Sequence, residues 1–473
     1  MTQRRPGDRR VRLARTPPVV ISVNPPRRRR RFISPAAALL LGFAAAILVG
    51  TLLLSLPLAA ADGTATSPVD AFFTATSAVC VTGLVVVDTA EHWSGFGHAV
   101  LVVLMQAGGF GFMTGASLLL LLGVRRRTRL SERIEVAESV GVARLGDVAS
   151  IVRGTAKYVL VVVAAGMVVL AAWYLLRTPG ASPPEAAWWG LFHSISAFNN
   201  AGFDLTGNFA SLEPYAGETL LLGVLGMLIT LGAIGYVIAA DIWRKRKWAR
   251  LALETKLVIV TWIVLLIGGA AMIGALEWGN RATFGDAPPG QRVAEAVFTS
   301  VSARSGGFAT APLGQAHDAT LSVIGALVFI GGASGATAGG IKVTTFVVLL
   351  VAIVAELRGR PSAEAFGRRI PHVVVYRALS VALVAIAFVF TAAVGTNIAS
   401  RQPFLDATFE TVSAFGTNGL STGITPELSP PVRVLVALTM FIGRLGPLTL
   451  VLALAARQRP AAVRGAVEAV RIG

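Results

Sequence analysis

The amino-acid sequence predicts an all-α integral membrane protein with eight transmembrane helices and four re-entrant loops, set as four helix–loop–helix repeats around a common axis. Three observations carry this expectation. The 473 residues are 54% hydrophobic and only 14% charged, with mean hydropathy +0.69, whereas soluble domains hold about 25% charged residues. A short Ser-Ala…Gly motif recurs four times along the chain. The basic residues gather between the apolar runs, as they do beside the cytoplasmic ends of membrane helices.

The motif reads SAVCVTGL at Ser77–Leu84, SAFNNAGF at Ser196–Phe203, SARSGGF at Ser302–Phe308 and SAFGTNGL at Ser413–Leu420. A Phe stands four positions before each Ser, at Phe73, Phe192, Phe298 and Phe409. The glycines Gly83, Gly202, Gly307 and Gly419 follow one another at spacings of 119, 105 and 112 residues. Repetition at a near-constant period settles architecture before local detail does.

In chain order, residues 1–34 form a basic tail with 11 arginines, expected to be disordered. Either it lies on anionic membrane lipids or it is a topology signal alone. It lacks an early apolar core, so no cleavable leader is expected. The repeats follow at 35–130, 150–245, 251–357 and 372–460, and a cytoplasmic tail at 461–473. Spanning takes about 20 apolar residues. The predicted spans are Pro35–Ala60, Ala99–Gly123, Ala156–Leu176, Glu218–Ala240, Leu251–Leu276, Thr320–Ala355, Val373–Ile398 and Val432–Ala456. The runs before each motif, such as Pro184–Phe198, are too short to cross and read as re-entrant half-helices.

With the N-terminus inside, 34 of the 42 Lys and Arg residues fall in cytoplasmic segments. Both termini are therefore expected in the cytoplasm, with all four loops entering from outside a plasma membrane. This distribution also argues against nucleic acid as the partner of a +17 chain. A single cysteine, Cys80, excludes an internal disulfide framework and a cysteine metal cluster. No nucleophile–base constellation or metal-ligand spacing is present, so an enzyme is not expected and no cofactor is implied.

Non-helical backbone at membrane depth must line a polar cavity, because each unpaired N–H or C=O costs several kcal/mol in lipid. Four such loops around one central pore place carbonyls where they can replace the hydration shell of a cation. Glycine reaches the positive φ that turns successive carbonyls inward. Half-helices entering from outside also point their negative dipole ends at the membrane centre.

With VTGL at 81–84, NNAGF at 199–203, RSGGF at 304–308 and TNGL at 417–420, the chain resembles the Trk/Ktr/HKT superfamily of potassium transporters. The resemblance covers residues 35–460 and is strongest to the KtrB-type, TrkH-family membrane subunit of bacterial potassium uptake systems. It implies a K⁺ selectivity filter with one glycine per pore loop. The matching residues are Val81, Thr82 and Gly83; Asn200, Ala201 and Gly202; Ser305, Gly306 and Gly307; and Thr417, Asn418 and Gly419. Relatives with Ser at the first glycine tend toward sodium, so Gly83 implies potassium. Further implications are a homodimer and a cytosolic ring of nucleotide-binding RCK-type regulatory subunits (KtrA/TrkA-like). The chain itself has no dinucleotide fingerprint.

The long span of the third repeat holds five glycines in Gly331–Gly340, followed by Lys342. Each costs about 1 kcal/mol against Ala in a helix, so an intramembrane break is predicted there. Tight packing of a continuous helix through small residues is the alternative. The resemblance implies a gating loop, with Gly331, Gly332, Ser334, Gly335, Thr337, Gly339, Gly340 and Lys342 as its residues. Arg444 falls within the last span, where a central Arg costs about 2.5–3.5 kcal/mol and must face the pore or a partner. A structural ion pair is the bland alternative, and the resemblance implies a gate role beneath the filter. Arg304 and Cys80 are expected to brace or pack behind the loops, and His193 to be a packing residue. Asp204 and Glu410 either enrich cations at the mouth or bond the loops.

The leading functional expectation is potassium uptake, with sodium coupling or symport left open. The alternative is a secondary transporter of another cation or small solute, Na⁺-selective or Na⁺-coupled. Such a protein would show paired inverted halves, whereas these repeats run in one sense.

Overall fold

Apolar runs of twenty residues and more form the long helices, and prolines at the first turn start most of the short ones. The computed structural model describes residues 35–125, 146–285 and 287–446. Helices α1 (Pro35–Leu54), α2 (Pro68–Cys80), α3 (Thr89–His92) and α4 (Gly95–Arg125) come first. They are followed by α5 (Gly146–Arg177), α6 (Pro183–Asn199) and α7 (Thr219–Lys245). Next come α8 (Leu253–Glu277), α9 (Pro289–Ser302), α10 (Asp318–Phe329) and α11 (Val343–Leu357). The last are α12 (His372–Ser400), α13 (Phe404–Gly416) and α14 (Pro430–Leu445).

Among the described residues, six helices are long and apolar enough to cross a membrane: α1, α4, α5, α7, α8 and α12. The predicted span Thr320–Ala355 is two shorter helices, α10 and α11, separated at residues 330–342. The glycines account for this, since the break falls where helix propensity is lowest. Helix α14 reaches Leu445, and the rest of the last predicted span lies outside the described residues, as do the tails at 1–34 and 461–473. A small antiparallel hairpin of β1 (Glu364–Ala365) and β2 (Arg368–Arg369) was not legible in the sequence.

Packing repeats in one cyclic sense. Three of the four motif-bearing helices pack on both of their sequence neighbours, α2 on α1 and α4, α6 on α5 and α7, and α13 on α12 and α14, whereas α9 packs on α8. Each also meets the helix that closes the preceding group: α6 on α4, α9 on α7, α13 on α10, and α2 on α14. The last contact joins the end of the chain to its beginning. Arg433 on α14 bonds Asp70 on α2 across that seam.

The short helices start where fixed backbone is useful. Pro68, Pro183, Pro289 and Pro430 open α2, α6, α9 and α14, at positions whose N–H would have no partner anyway. Ser182 and Glu185 form a reciprocal capping box on α6. Over their last two turns α2 and α6 are buried on all sides, and α13 is buried save for the half-buried Val412.

Candidate functional site

Helices α2, α6 and α13 end alike. Val81, Asn200 and Thr417 take left-handed backbone with φ of 55°, 61° and 46°. The next N–H groups, of Thr82, Ala201 and Asn418, bond back to the carbonyls of Ser77, Ser196 and Ser413 at 2.8, 2.7 and 3.0 Å. This is the Schellman closure of a helix C-terminus. The third turn is one residue shorter and differs: Ala303 stays helical, and Ser305 takes φ of 123°.

The recurring Ser has a definite task. Ser77 and Ser413 accept through Oγ from the N–H of Gly83 (3.0 Å) and Gly419 (3.1 Å). Ser196 and Ser302 instead donate to the carbonyls of Phe203 and Phe308, each at 2.6 Å. In all four turns the hydroxyl fixes the backbone at or just after the glycine.

The four glycines, scattered over more than 330 residues of sequence, stand side by side. All have positive φ: 90° at Gly83, 72° at Gly202, 79° at Gly307 and 100° at Gly419. A Cβ on Gly83 would lie 2.3 Å from the Ala201 carbonyl oxygen, and one on Gly202 would lie 2.9 Å from the Gly307 Cα. One on Gly307 would lie 2.2 Å from the Asn418 oxygen, and one on Gly419 2.2 Å from the Thr82 oxygen. The contacts therefore run first to second, second to third, third to fourth and fourth to first. Two side-chain bonds add to the third-to-fourth step: Asn418 Nδ2 to the Ser302 carbonyl (2.7 Å) and Ser305 Oγ to the Thr417 carbonyl (3.4 Å). Val81, Thr82, Asn200, Ala201, Ser305, Thr417 and Asn418 are buried, as are Gly83, Gly202, Gly306 and Gly307, while Gly419 is half-buried.

A cavity of about 560 Å³ is lined by the four glycines and by residues that follow them. Its wall includes Asp88, Asp204, Glu213 and Glu427 and no Lys or Arg, which favours a cation electrostatically. Asp88 also joins two loops, accepting from the N–H groups of Ala90 and Glu91 at 2.9 Å and of Phe209 at 2.7 Å. Burial, with repulsion from Asp88 as a smaller cause, pushes the Asp204 carboxyl up to about 6. Glu410 bonds Ser421 and Thr425 in the fourth loop. His193 bonds the Trp189 carbonyl and receives the Leu205 N–H, and its ring stacks on Trp189.

The glycine-rich break packs on residues that precede the glycines. Helix α7 is kinked at Gly235 (φ 75°), and nearby carbonyls receive the break: Ala233 from the Ala333 N–H (2.9 Å) and Gly232 from that of Thr337 (3.3 Å). Thr337 Oγ1 donates to the Phe198 carbonyl at 3.4 Å, and a Cβ on Gly339 would strike the Thr417 side chain. Gly331 N–H bonds the Ile341 carbonyl at 2.8 Å, and Val343 N–H that of Gly332 at 3.0 Å, closing the break on itself. Gly335 and Gly340 have φ of 74° and 64°. Ser334 is half-buried and makes no side-chain hydrogen bond among the described residues.

Arg444 is 1% exposed. Its Nη1 bonds the Thr337 carbonyl in the break, and its Nη2 donates to the Gly108 carbonyl of α4 at 3.1 Å. Carbonyls occupy the place an acid would take in a structural ion pair. Lys342 stands at the N-cap position of α11, and its Nζ donates to the Ala338 carbonyl in the break. Arg304 bonds the carbonyls of Ile330 and Gly331, each at 3.1 Å, and lies 4.2 Å from the centre of the Trp262 ring. The sequence reading missed Phe112, whose ring lies against both Arg444 and Lys342. An aromatic inside a glycine-rich helical run was its only signal.

Among the described residues no group of His, Cys, Asp and Glu is placed to hold a metal ion. The arrangement sets four glycine turns between an acidic cavity and two buried cationic side chains, inside a bundle of apolar helices. The class it defines is a polytopic membrane transport protein. The family model described as TrkH, cation transport protein, matches residues 42–462, and the chain belongs to that family. It is 36% identical over 417 residues to the Ktr system potassium uptake protein B of Bacillus subtilis, covering 88% of this chain and 92% of that protein. It is 34% identical over 417 residues to the potassium/sodium uptake protein NtpJ of Enterococcus hirae, covering 87% and 91% respectively. The crystal structure of the potassium transporter TrkH from Vibrio parahaemolyticus superposes with TM-score 0.70 at 17% identity, over 90% of this chain and 86% of that one, so the fold is shared.

Proposed function

We propose that this chain is the ion-translocating subunit of a potassium uptake system in the plasma membrane. The carrying observation is the closed ring of Gly83, Gly202, Gly307 and Gly419 facing a cavity walled by carboxylates. The carbonyls of Val81–Gly83, Asn200–Gly202, Ser305–Gly307 and Thr417–Gly419 form the filter in this reading, replacing the water shell of K⁺. The names of the two relatives support potassium as the ion, and the second leaves sodium as a companion.

The six long helices, the α10–α11 pair and α14 make eight crossings, and α2, α6, α9 and α13 re-enter from outside. The Lys and Arg distribution supports both termini inside. The break at Gly331–Gly340, with Lys342 and Arg444, is the gate beneath the filter: two buried cations close to the ion path oppose the passage of a third. The chain works as a homodimer with a cytosolic nucleotide-binding regulatory subunit; the word "system" in the relative's name supports only an assembly of more than one part. Four groups packed in one cyclic sense give no support to the alternative of paired inverted halves.

Expression in a bacterium lacking its own potassium uptake, together with the regulatory partner, should restore growth at low K⁺. Absence of rescue at verified membrane expression overturns the reading. Arg444→Ala should raise K⁺ flux or weaken its regulation, and unchanged kinetics would remove Arg444 from the gate.

A further inference from the structure

Arg444 and Lys342 come from elements far apart in sequence, yet they share one neighbour. The Arg444 Cζ lies 4.6 Å and the Lys342 Nζ 4.9 Å from the centre of the Phe112 ring on α4. Phe112 is 6% exposed and packs in the same apolar cluster as Cys80, Val81, Met440 and Leu445. Among the described residues, no Asp or Glu forms an ion pair with either cation. Two like charges held in an apolar interior repel each other, and carbonyls alone hold them on the Thr337, Gly108 and Ala338 side. An aromatic face is electron-rich and attracts a cation within about 6 Å of its centre, more strongly when both are desolvated. Phe112 also stands one helical turn after Gly108, so ring and carbonyl hold the Arg444 guanidinium from the same stretch of α4.

We propose that Phe112 is the positioning residue of the barrier: its ring retains Arg444 and Lys342 together beneath the turns and so sets how readily the barrier opens. The proposal rests on the reading of these two cations as the gate. Moving either one aside gives up a cation–π contact, so the closed arrangement deepens with the electron density of the ring. Shape and charge are separable here, because fluorination empties the ring face while leaving its volume nearly unchanged.

The test is K⁺ flux into proteoliposomes carrying the full-length chain with Phe112 replaced by mono-, di- and trifluorophenylalanine. Flux should climb stepwise with fluorine number, by about three- to tenfold at the trifluoro ring. Phe112→Trp should lower it, and an Arg444→Ala, Lys342→Ala background should abolish the trend. A flat fluorine series, with Arg444→Ala still raising flux, overturns the role of Phe112 and leaves the gate reading intact. If Arg444→Ala and Lys342→Ala both leave flux unchanged, the gate reading fails and the proposal falls with it. Size-exclusion profiles of each variant show that folded protein is being compared.

Discussion

Arg304 Nη2 donates to the Gly331 carbonyl at 3.1 Å, so the third turn and the first residue of the glycine-rich break are held by one guanidinium. Its Nε holds the Ile330 carbonyl as well, and its face lies on Trp262. Arg304→Gln removes the fork and leaves the buried Gly331 carbonyl and the half-buried Ile330 carbonyl short of a donor. A loss of about 1–3 kcal/mol in stability is expected, together with higher basal K⁺ flux as the break loosens. Arg304→Lys, which reaches one carbonyl but not both, should fall between. Thermal unfolding and flux measured on the same preparations check this, and wild-type values in both for Arg304→Gln would refute it.

The glycine ring predicts an ordered loss of selectivity. A side chain at Gly202 meets the Gly307 Cα at 2.9 Å and sits at φ of 72°, so Gly202→Ser must shift the third turn as well as the second. On the proposed reading of the ring as the filter, it then widens or tilts, and K⁺ over Na⁺ discrimination should drop by about tenfold or more. Competition of Na⁺ with Rb⁺ uptake measures it. Undiminished discrimination at normal expression would dissociate Gly202 from ion selection.

Asp204 is expected to make the acidic cavity sensitive to pH. Its carboxyl, pushed up to about 6 by burial, is charged at pH 7.5 and takes up a proton as pH falls through 6, where an ordinary carboxylate would stay ionised. Acidification to pH 5 therefore removes one negative charge from the wall. The K⁺ concentration for half-maximal uptake should rise about threefold. Asp204→Asn should show the low-pH value at pH 7.5 and a flatter profile. A variant with the same pH profile as the wild-type chain would exclude Asp204.

The seam between α14 and α2 depends on Arg433. Besides pairing with Asp70, Arg433 donates through Nε to the Leu428 carbonyl (2.7 Å) and through Nη2 to that of Pro426 (2.8 Å). Both partners of the ion pair are mostly buried, with side-chain exposures of 17% and 18%. Arg433→Ala should destabilise the protein by about 2–4 kcal/mol, and Asp70→Asn by less, because only one of three bonds is weakened. Unfolding curves in detergent decide the order, and an Asp70→Asn loss exceeding that of Arg433→Ala would reverse the assignment.

Features that repeat, or that violate a composition rule, were legible in the sequence. The four turns were found because Ser-Ala…Gly recurs, and the break at 330–342 because five glycines in ten residues cannot sustain a helix. Arg444 stood out as a charge inside an apolar run. The partners of these residues were not legible. Arg433 and Asp70 are 363 residues apart, and nothing local in either segment specifies the other. Phe112 looks like any apolar residue of α4 until two cations are found against its ring. The kink of α7 at Gly235, which frees carbonyls for the break, lies in a helix whose other glycines leave no such mark. The task of the motif Ser was hidden for another reason: Ser77 accepts whereas Ser196 donates, and the one-letter code is the same.

Because one chain supplies all four quarters, each can be edited at single dose. An assembly of four identical subunits would place every residue near the axis in four copies, and four guanidiniums at the level of Arg304 would repel any passing cation. Here one arginine braces one turn, one glutamate (Glu410) bonds another, and the third turn is a residue shorter than its neighbours. A single chain thus exchanges rotational identity for a division of labour, in which one quarter of the ring can differ while the others keep their shape.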